Sequence, residues 1–291
     1  MNNYIAIGLA ICAAITFGAF SVMARKAMHL GSALSASLIS VVVGLPVMFA
    51  LSLYFSDWGK LTWEAVLWFS LTGFLAPGLA RPLVYLAIKY VGVGRAMPLI
   101  TMTPFLSTMV AILWLRERPG PAIFGATALV VSGCFLIALK PERDRDWRRI
   151  FLLLPVAHSI VMAFASTSRR FSLLLFPDIL IGIIIASLAS LPALLVFLPF
   201  LPPEERWRIE PGGHKMMILT GLLNSLSFLV FFSAFQFGAV SIVVPIGYAA
   251  PLFALIFTRI WLRDEEILTW QKWVGAIALF LGVVLIAVNA P

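Results

Sequence analysis

Charge is scarce in this sequence: only 12% of its 291 residues are Asp, Glu, Lys or Arg, against 62% hydrophobic. So little polar surface cannot cover the core of a soluble domain of this size, which excludes a soluble globular fold. Cysteine is nearly absent. Cys12 and Cys134 both fall inside apolar stretches, so there is no disulfide framework and no thiolate metal motif, and both read as small packing residues. Paired carboxylates, metal-ligand clusters and a nucleophile beside a base are also missing, so a membrane enzyme is disfavoured and no cofactor or metal is expected. The opening Met-Asn-Asn-Tyr has neither the basic stretch nor the cleavage site of a signal peptide, so the first apolar segment is expected to remain as a helix.

What is present is a series of apolar segments, at 4–24, 33–55, 64–88, 95–115, 120–139, 150–168, 177–198, 215–236, 239–261 and 269–289. Each approaches the about 20 residues that a helix needs to cross the hydrocarbon. The connectors are short and leave no room for a catalytic domain outside the membrane. Net charge is +8, but the basic residues sit mainly at segment ends and in connectors, where they face anionic lipid rather than nucleic acid.

The ten segments form two similar halves. At one constant offset Ala87 falls on Ala234, Val93 on Val240, Pro98 on Pro245 and Pro104 on Pro251. Trp114-Leu115-Arg116 falls on Trp261-Leu262-Arg263, and Glu117 on Asp264. With small shifts that fit loop insertions, Gly133 matches Gly282, Leu136-Ile137-Ala138 matches Leu285-Ile286-Ala287, and Arg25-Lys26 matches Arg169-Arg170. Five crossings per half is odd, so the second half enters the membrane upside down, the plan of transporters that bind at the bilayer midplane. The expected fold is all-α: ten transmembrane helices in two inverted five-helix repeats, 1–140 and 150–291, joined by a basic connector at 141–149.

The closing stretches of the halves, GVGRAMPLITMTPFLSTMVAILWLRERPGPAIFGATALVVSGCFLIAL and GAVSIVVPIGYAAPLFALIFTRIWLRDEEILTWQKWVGAIALFLGVVLIAV, each resemble the end of an EamA domain, the repeat unit of the drug/metabolite transporter superfamily. The shared features are a small-residue turn, a proline-containing helix, an acidic residue at its end and a glycine-rich closing helix. The first helix departs from the common pattern, with Thr16-Phe17-Gly18 where a Trp-Gly pair is usual. The resemblance implies secondary transport of an amino acid, sugar derivative, nucleoside-like compound or organic acid, often as an exporter. Small multidrug exporters of that superfamily use a central membrane glutamate. Here Asp57, Glu64, Glu117, Asp178 and Asp264 all lie at ends or in connectors, which argues against lipophilic-cation export.

Ionisable and helix-breaking residues inside the segments mark candidate sites. Arg81, between Pro77 and Pro82 and one turn from Tyr85, reads as an anchor for an anionic or zwitterionic substrate, or as a cap on carbonyls released by the prolines. Arg25, Lys26, Arg169 and Arg170 are repeat-equivalent pairs expected at opposite cavity mouths, or as interfacial lipid anchors. His158 has no repeat counterpart and reads as a substrate or proton-coupling group, or as a histidine bonded to a neighbouring helix. Thr220, Asn224 and Ser227 form a stripe on the eighth segment that suits cavity lining or interhelical bonding, and Tyr85 and Tyr248 suit cavity walls or packing. Pro104 and Pro251 fall mid-segment and read as paired gating kinks, while Gly125, Ser132, Gly133, Gly275 and Gly282 mark close-packing faces.

The expected function is alternating-access transport of a small polar metabolite across the inner membrane, with protons or a counter-substrate as coupling partners, membrane lipids as surroundings and a homodimer as a possible assembly. A translocator of lipid-linked phosphates is the alternative. Loop charge leans towards both termini outside: Lys140, Arg143, Arg145, Arg148, Arg149, Arg206, Arg208 and Lys215 lie on the opposite side.

Overall fold

The computed structural model describes residues 3–138, 149–196, 199, 209–210, 212–261 and 269–290. Among them are ten helices long and apolar enough to cross a membrane, as expected. They are α1 (Asn3–His29), α2 (Ala33–Phe55), α3a and α3b (Trp63–Gly73 and Ala80–Val91), α4a and α4b (Val93–Ile100 and Thr103–Leu115), α5 (Pro121–Ala138), α6 (Leu153–Leu175), α7 (Ile179–Val196), α8 (Gly213–Phe237), α9a and α9b (Val240–Gly247 and Ala250–Trp261) and α10 (Trp270–Asn289). Local chemistry sets several ends. Ser32 and Thr62 accept hydrogen bonds from the Ser35 and Ala65 amides, capping α2 and α3a. Gly92, at φ 88°, turns the chain between α3b and α4a in a conformation that a side chain disfavours. In the exposed turn after α2, Lys60 lies 2.8 Å from Asp57, which holds the carboxyl below its usual range and raises the ammonium.

Hydrocarbon offers backbone groups no water, so each helix interruption must be propped by protein. α3 is interrupted by a π-helical stretch, Phe74–Leu79, containing Pro77, where Ala76 leaves helical geometry (φ −144°, ψ 116°). α4 and α9 are broken outright, at Thr101-Met102 and Tyr248-Ala249. This corrects the mid-helix kinks expected at Pro104 and Pro251. Both prolines lie in the first turn of a new half-helix, where their missing N–H would have had no helical partner anyway. Carbonyls at each break are taken up from another helix: Ser159 Oγ donates to Leu99 O (3.0 Å) and Ile100 O (3.3 Å), and Cys134 Sγ donates to Tyr248 O (3.3 Å).

The halves interlock. The first helix of each packs on the third and fourth segments of the other: α1 on α8 and α9, α6 on α3 and α4. The fifth helices, α5 and α10, pack on each other through small residues. A Cβ on Gly133 would lie 2.6 Å from Gly275 O, and one on Gly282 3.0 Å from Ala126 O. Gly125 has open space around it and takes no part in that contact. Most of the expected 141–149 connector, together with Lys140, Arg206, Arg208, Arg263 and Asp264, lies outside the described residues.

Candidate functional site

A cavity lies between α2, α3, α7 and α8, close to the middle of the bundle. Its volume is ≈ 40 Å³. That accommodates about one to three waters, far less than the about 300 Å³ of an ordinary ligand pocket. A ligand of ordinary size does not fit it as the helices stand.

Its polar wall is made by four helices that approach through small residues. A Cβ on Gly44 would lie 2.0 Å from Ser225 Oγ, and one on Gly221 3.0 Å from Ser40 Cα, so α2 and α8 meet closely. Ser40, buried on α2, sits between two donors: Arg81 Nη1 and Asn224 Nδ2 each lie 3.4 Å from its Oγ. Both bonds are long and weak. Asn224 is 4% exposed, and its Oδ1 is buried without a hydrogen-bond partner. An orphaned acceptor of that kind costs about 1–3 kcal/mol, so it marks a place where a ligand donor would be welcome. The cavity thus presents a guanidinium and an unsatisfied carbonyl oxygen on one polar wall. Much of the remaining lining is apolar, Met48, Ile183, Phe228 and Phe232 included.

Of the residues singled out from the sequence, Arg81 and Asn224 line this cavity. Tyr85, Ser227, Tyr248 and His158 do not. Tyr85 is half-buried one turn along α3b from Arg81. Ser227 is buried and returns its hydroxyl to Leu223 O at 2.8 Å, while Thr220 does the same to Met216 O at 2.7 Å, as hydroxyls commonly do in membrane helices. His158 Nδ1 lies 2.8 Å from Ala80 O, the residue before Arg81, so the ring ties α6 to the start of the helix that carries the guanidinium. Tyr248 is half-buried at the break in α9. Ser40, Ser187 and Ser225 were not anticipated. A serine in an apolar segment usually bonds its own helix, so nothing local distinguishes these three.

The two basic pairs are not alike. Arg25 is half-buried and Lys26 exposed near the end of α1. Arg169 and Arg170 are 1% and 5% exposed, which corrects the expectation of a second open mouth. The reason is length and facing: α6 runs on to Leu175 instead of ending near 168, and both side chains point into protein. Arg170 donates to the Phe235 and Gln236 carbonyls, satisfying the C-terminus of α8. Across the same corner, Glu117 accepts from the Val240 amide (2.7 Å), the Ser241 amide (3.0 Å) and the Ser241 hydroxyl (2.6 Å), capping α9a from the other repeat. Glu117→Ala is expected to lower stability by about 2 kcal/mol, with Glu117→Gln recovering part of it. Thermal melting of the purified variants checks this, and unchanged melting in Glu117→Ala would show the cap to be idle.

Comparison with known proteins places this architecture. One solved crystal structure superposes with a TM-score of 0.79 over 96% of this chain and 95% of its own, at 13% identity, which establishes the shared fold and no more. No curated protein matches the sequence. The sequence model of the EamA-like transporter family matches twice, over residues 4–139 and 150–288. Two tandem matches, ten membrane-crossing helices and halves that interlock in inverted order all agree: this chain belongs to the EamA-like transporter family, within the drug/metabolite transporter superfamily.

Proposed function

We propose that this transporter moves a small metabolite bearing an anionic group and a nearby hydrogen-bond donor, by alternating access around the α2–α3–α7–α8 cavity. An amino acid or hydroxy acid is the simplest such molecule. The observation that carries the reading is the pairing of Arg81 with the orphaned Asn224 Oδ1 on one cavity wall. A carboxylate or phosphate docks on the guanidinium, and the ammonium or hydroxyl donates to Oδ1. Tyr85, Ser227, Tyr248 and His158 act behind this first contact. His158 holds the Arg81 helix and is the candidate coupling residue for protons. Arg25 and Lys26 gather anions at one face.

The broken α4 and α9 serve as pivots, since each half-helix can tilt about a point where the backbone ladder is already open. The unit so built comprises repeats at 1–140 and 150–291 in an inner membrane, and export is the direction the resemblance favours. Thermal melting against amino acids, hydroxy acids, nucleosides, sugars and lipid-linked phosphates tests the reading, because a ligand that binds only the folded state raises Tm by mass action. A shift with one of the first two classes supports it. A shift confined to nucleosides or sugars removes the anionic requirement, and one confined to lipid-linked phosphates points instead to a lipid translocator.

A further inference from the structure

Arg169 is fully buried on α6, against a phenylalanine of α8 that also lines the cavity. Its guanidinium carbon lies 4.5, 5.3 and 5.4 Å from the ring centroids of Phe232, Phe235 and Phe231, all on α8. Its Nε is buried without a hydrogen-bond partner, and among the described residues no carboxylate forms an ion pair with it. The helix that carries Arg169, α6, packs on both α4b and α9a, so halves of both discontinuous helices adjoin it.

Such a cation is an expensive feature. Three aromatic faces attract it, but they cannot replace the five hydrogen bonds a guanidinium makes in water. A purely packing role would be met as well by an apolar side chain. Phe232 supplies the decisive relation, because the same ring that stacks on Arg169 also lines the cavity. The guanidinium is therefore one ring away from the space that holds Arg81 and Asn224. Phe232 forms no hydrogen bond through its side chain, so turning it aside breaks none.

We propose that Arg169 is a second oxyanion-binding station, screened by Phe232, to which the substrate's carboxylate or phosphate passes on its way between the cavity and the membrane face that carries the termini. This rests on the reading of the cavity as the substrate site. In the closed state Phe232 occupies the face of the guanidinium. When the α4 and α9 halves tilt, the ring moves off and the planar fork takes two oxygens of the anion. Arg81 and Arg169 then hold the charge in turn, and the substrate class is narrowed to anions whose charged group is small enough to pass a displaced phenyl ring.

The test uses the full-length purified protein, with inorganic phosphate and acetate as probes at matched ionic strength and chloride as the control. Phe232→Ala removes the screen, with Phe232→Leu as the milder variant should the first not fold. Phosphate or acetate is expected to raise the Tm of the Phe232 variant by about twice the wild-type shift or more. That excess should vanish when Arg169→Gln is added and persist when Arg81→Gln is added. Phosphate alone giving the excess assigns a phosphorylated substrate; acetate giving it assigns a carboxylate. A Phe232 variant that responds like wild type, or an excess that survives Arg169→Gln, overturns the proposal. The cavity reading fails separately: in that case Arg81→Gln leaves the anion response of the otherwise wild-type protein unchanged.

Discussion

Arg81→Gln should reduce substrate affinity or transport by about 10- to 100-fold while leaving the protein folded. The magnitude follows from the contact removed: a hydrogen bond to a charged group is worth about 1.5–3 kcal/mol, and 1.4 kcal/mol is a factor of ten. Folding should tolerate the change, because the replacement removes a charge that is costly to hold at this depth and the contact given up at Ser40 is long, at 3.4 Å. Arg81→Lys should fall between, since lysine keeps the charge but loses the planar fork. Flux into proteoliposomes, read beside the melting temperature, separates the two effects. Transport near the wild-type rate in Arg81→Gln would remove it as the anchor.

An equally large effect, on stability instead, is expected at Gly73. A Cβ added there would lie 1.8 Å from Ala186 O and 2.5 Å from Ala186 C and Cα. All three atoms are backbone, so no rotamer change relieves the overlap, and α7 must retreat from α3. Overpacking of this kind costs about 1–3 kcal/mol, occasionally more. Ala186 also lines the cavity, so a shifted α7 changes the site as well as the fold. Gly73→Ala should therefore melt several degrees lower and lose transport. Gly125→Ala is the control: it sits within α5 with nothing in reach, and alanine is the better helix former, so its Tm should hold or rise. Equal melting of the two variants would show that α3 and α7 separate without cost.

Some site features are legible in the sequence because they are exceptions to a local rule. Arg81 stands out as a charge in an apolar run, and Asn224 as an amide in another. Ser40 and Ser225 break no such rule, and only the approach of α2 to α8 at Gly44 and Gly221 brings them to the wall. The prolines are equally visible, yet whether Pro104 and Pro251 bend a helix or begin a new one depends on which groups take up the released carbonyls. Ser159 and Cys134 do so from distant helices.

Read alone, the sequence determined the number of crossings, the two repeats and their inversion, because hydropathy and internal matching are properties of the chain itself and an odd count leaves no other arrangement. The environment of each polar residue was decided by tertiary packing. Arg25 and Arg169 are equivalent by sequence, yet one sits near a surface and the other under three phenylalanines of α8. Repeat symmetry equates positions along the chain, whereas burial and partners depend on the side chains packed around each one, and the halves differ there: Phe231, Phe232 and Phe235 cover Arg169 from α8 of its own half, where the first half carries Val84, Tyr85 and Ile88.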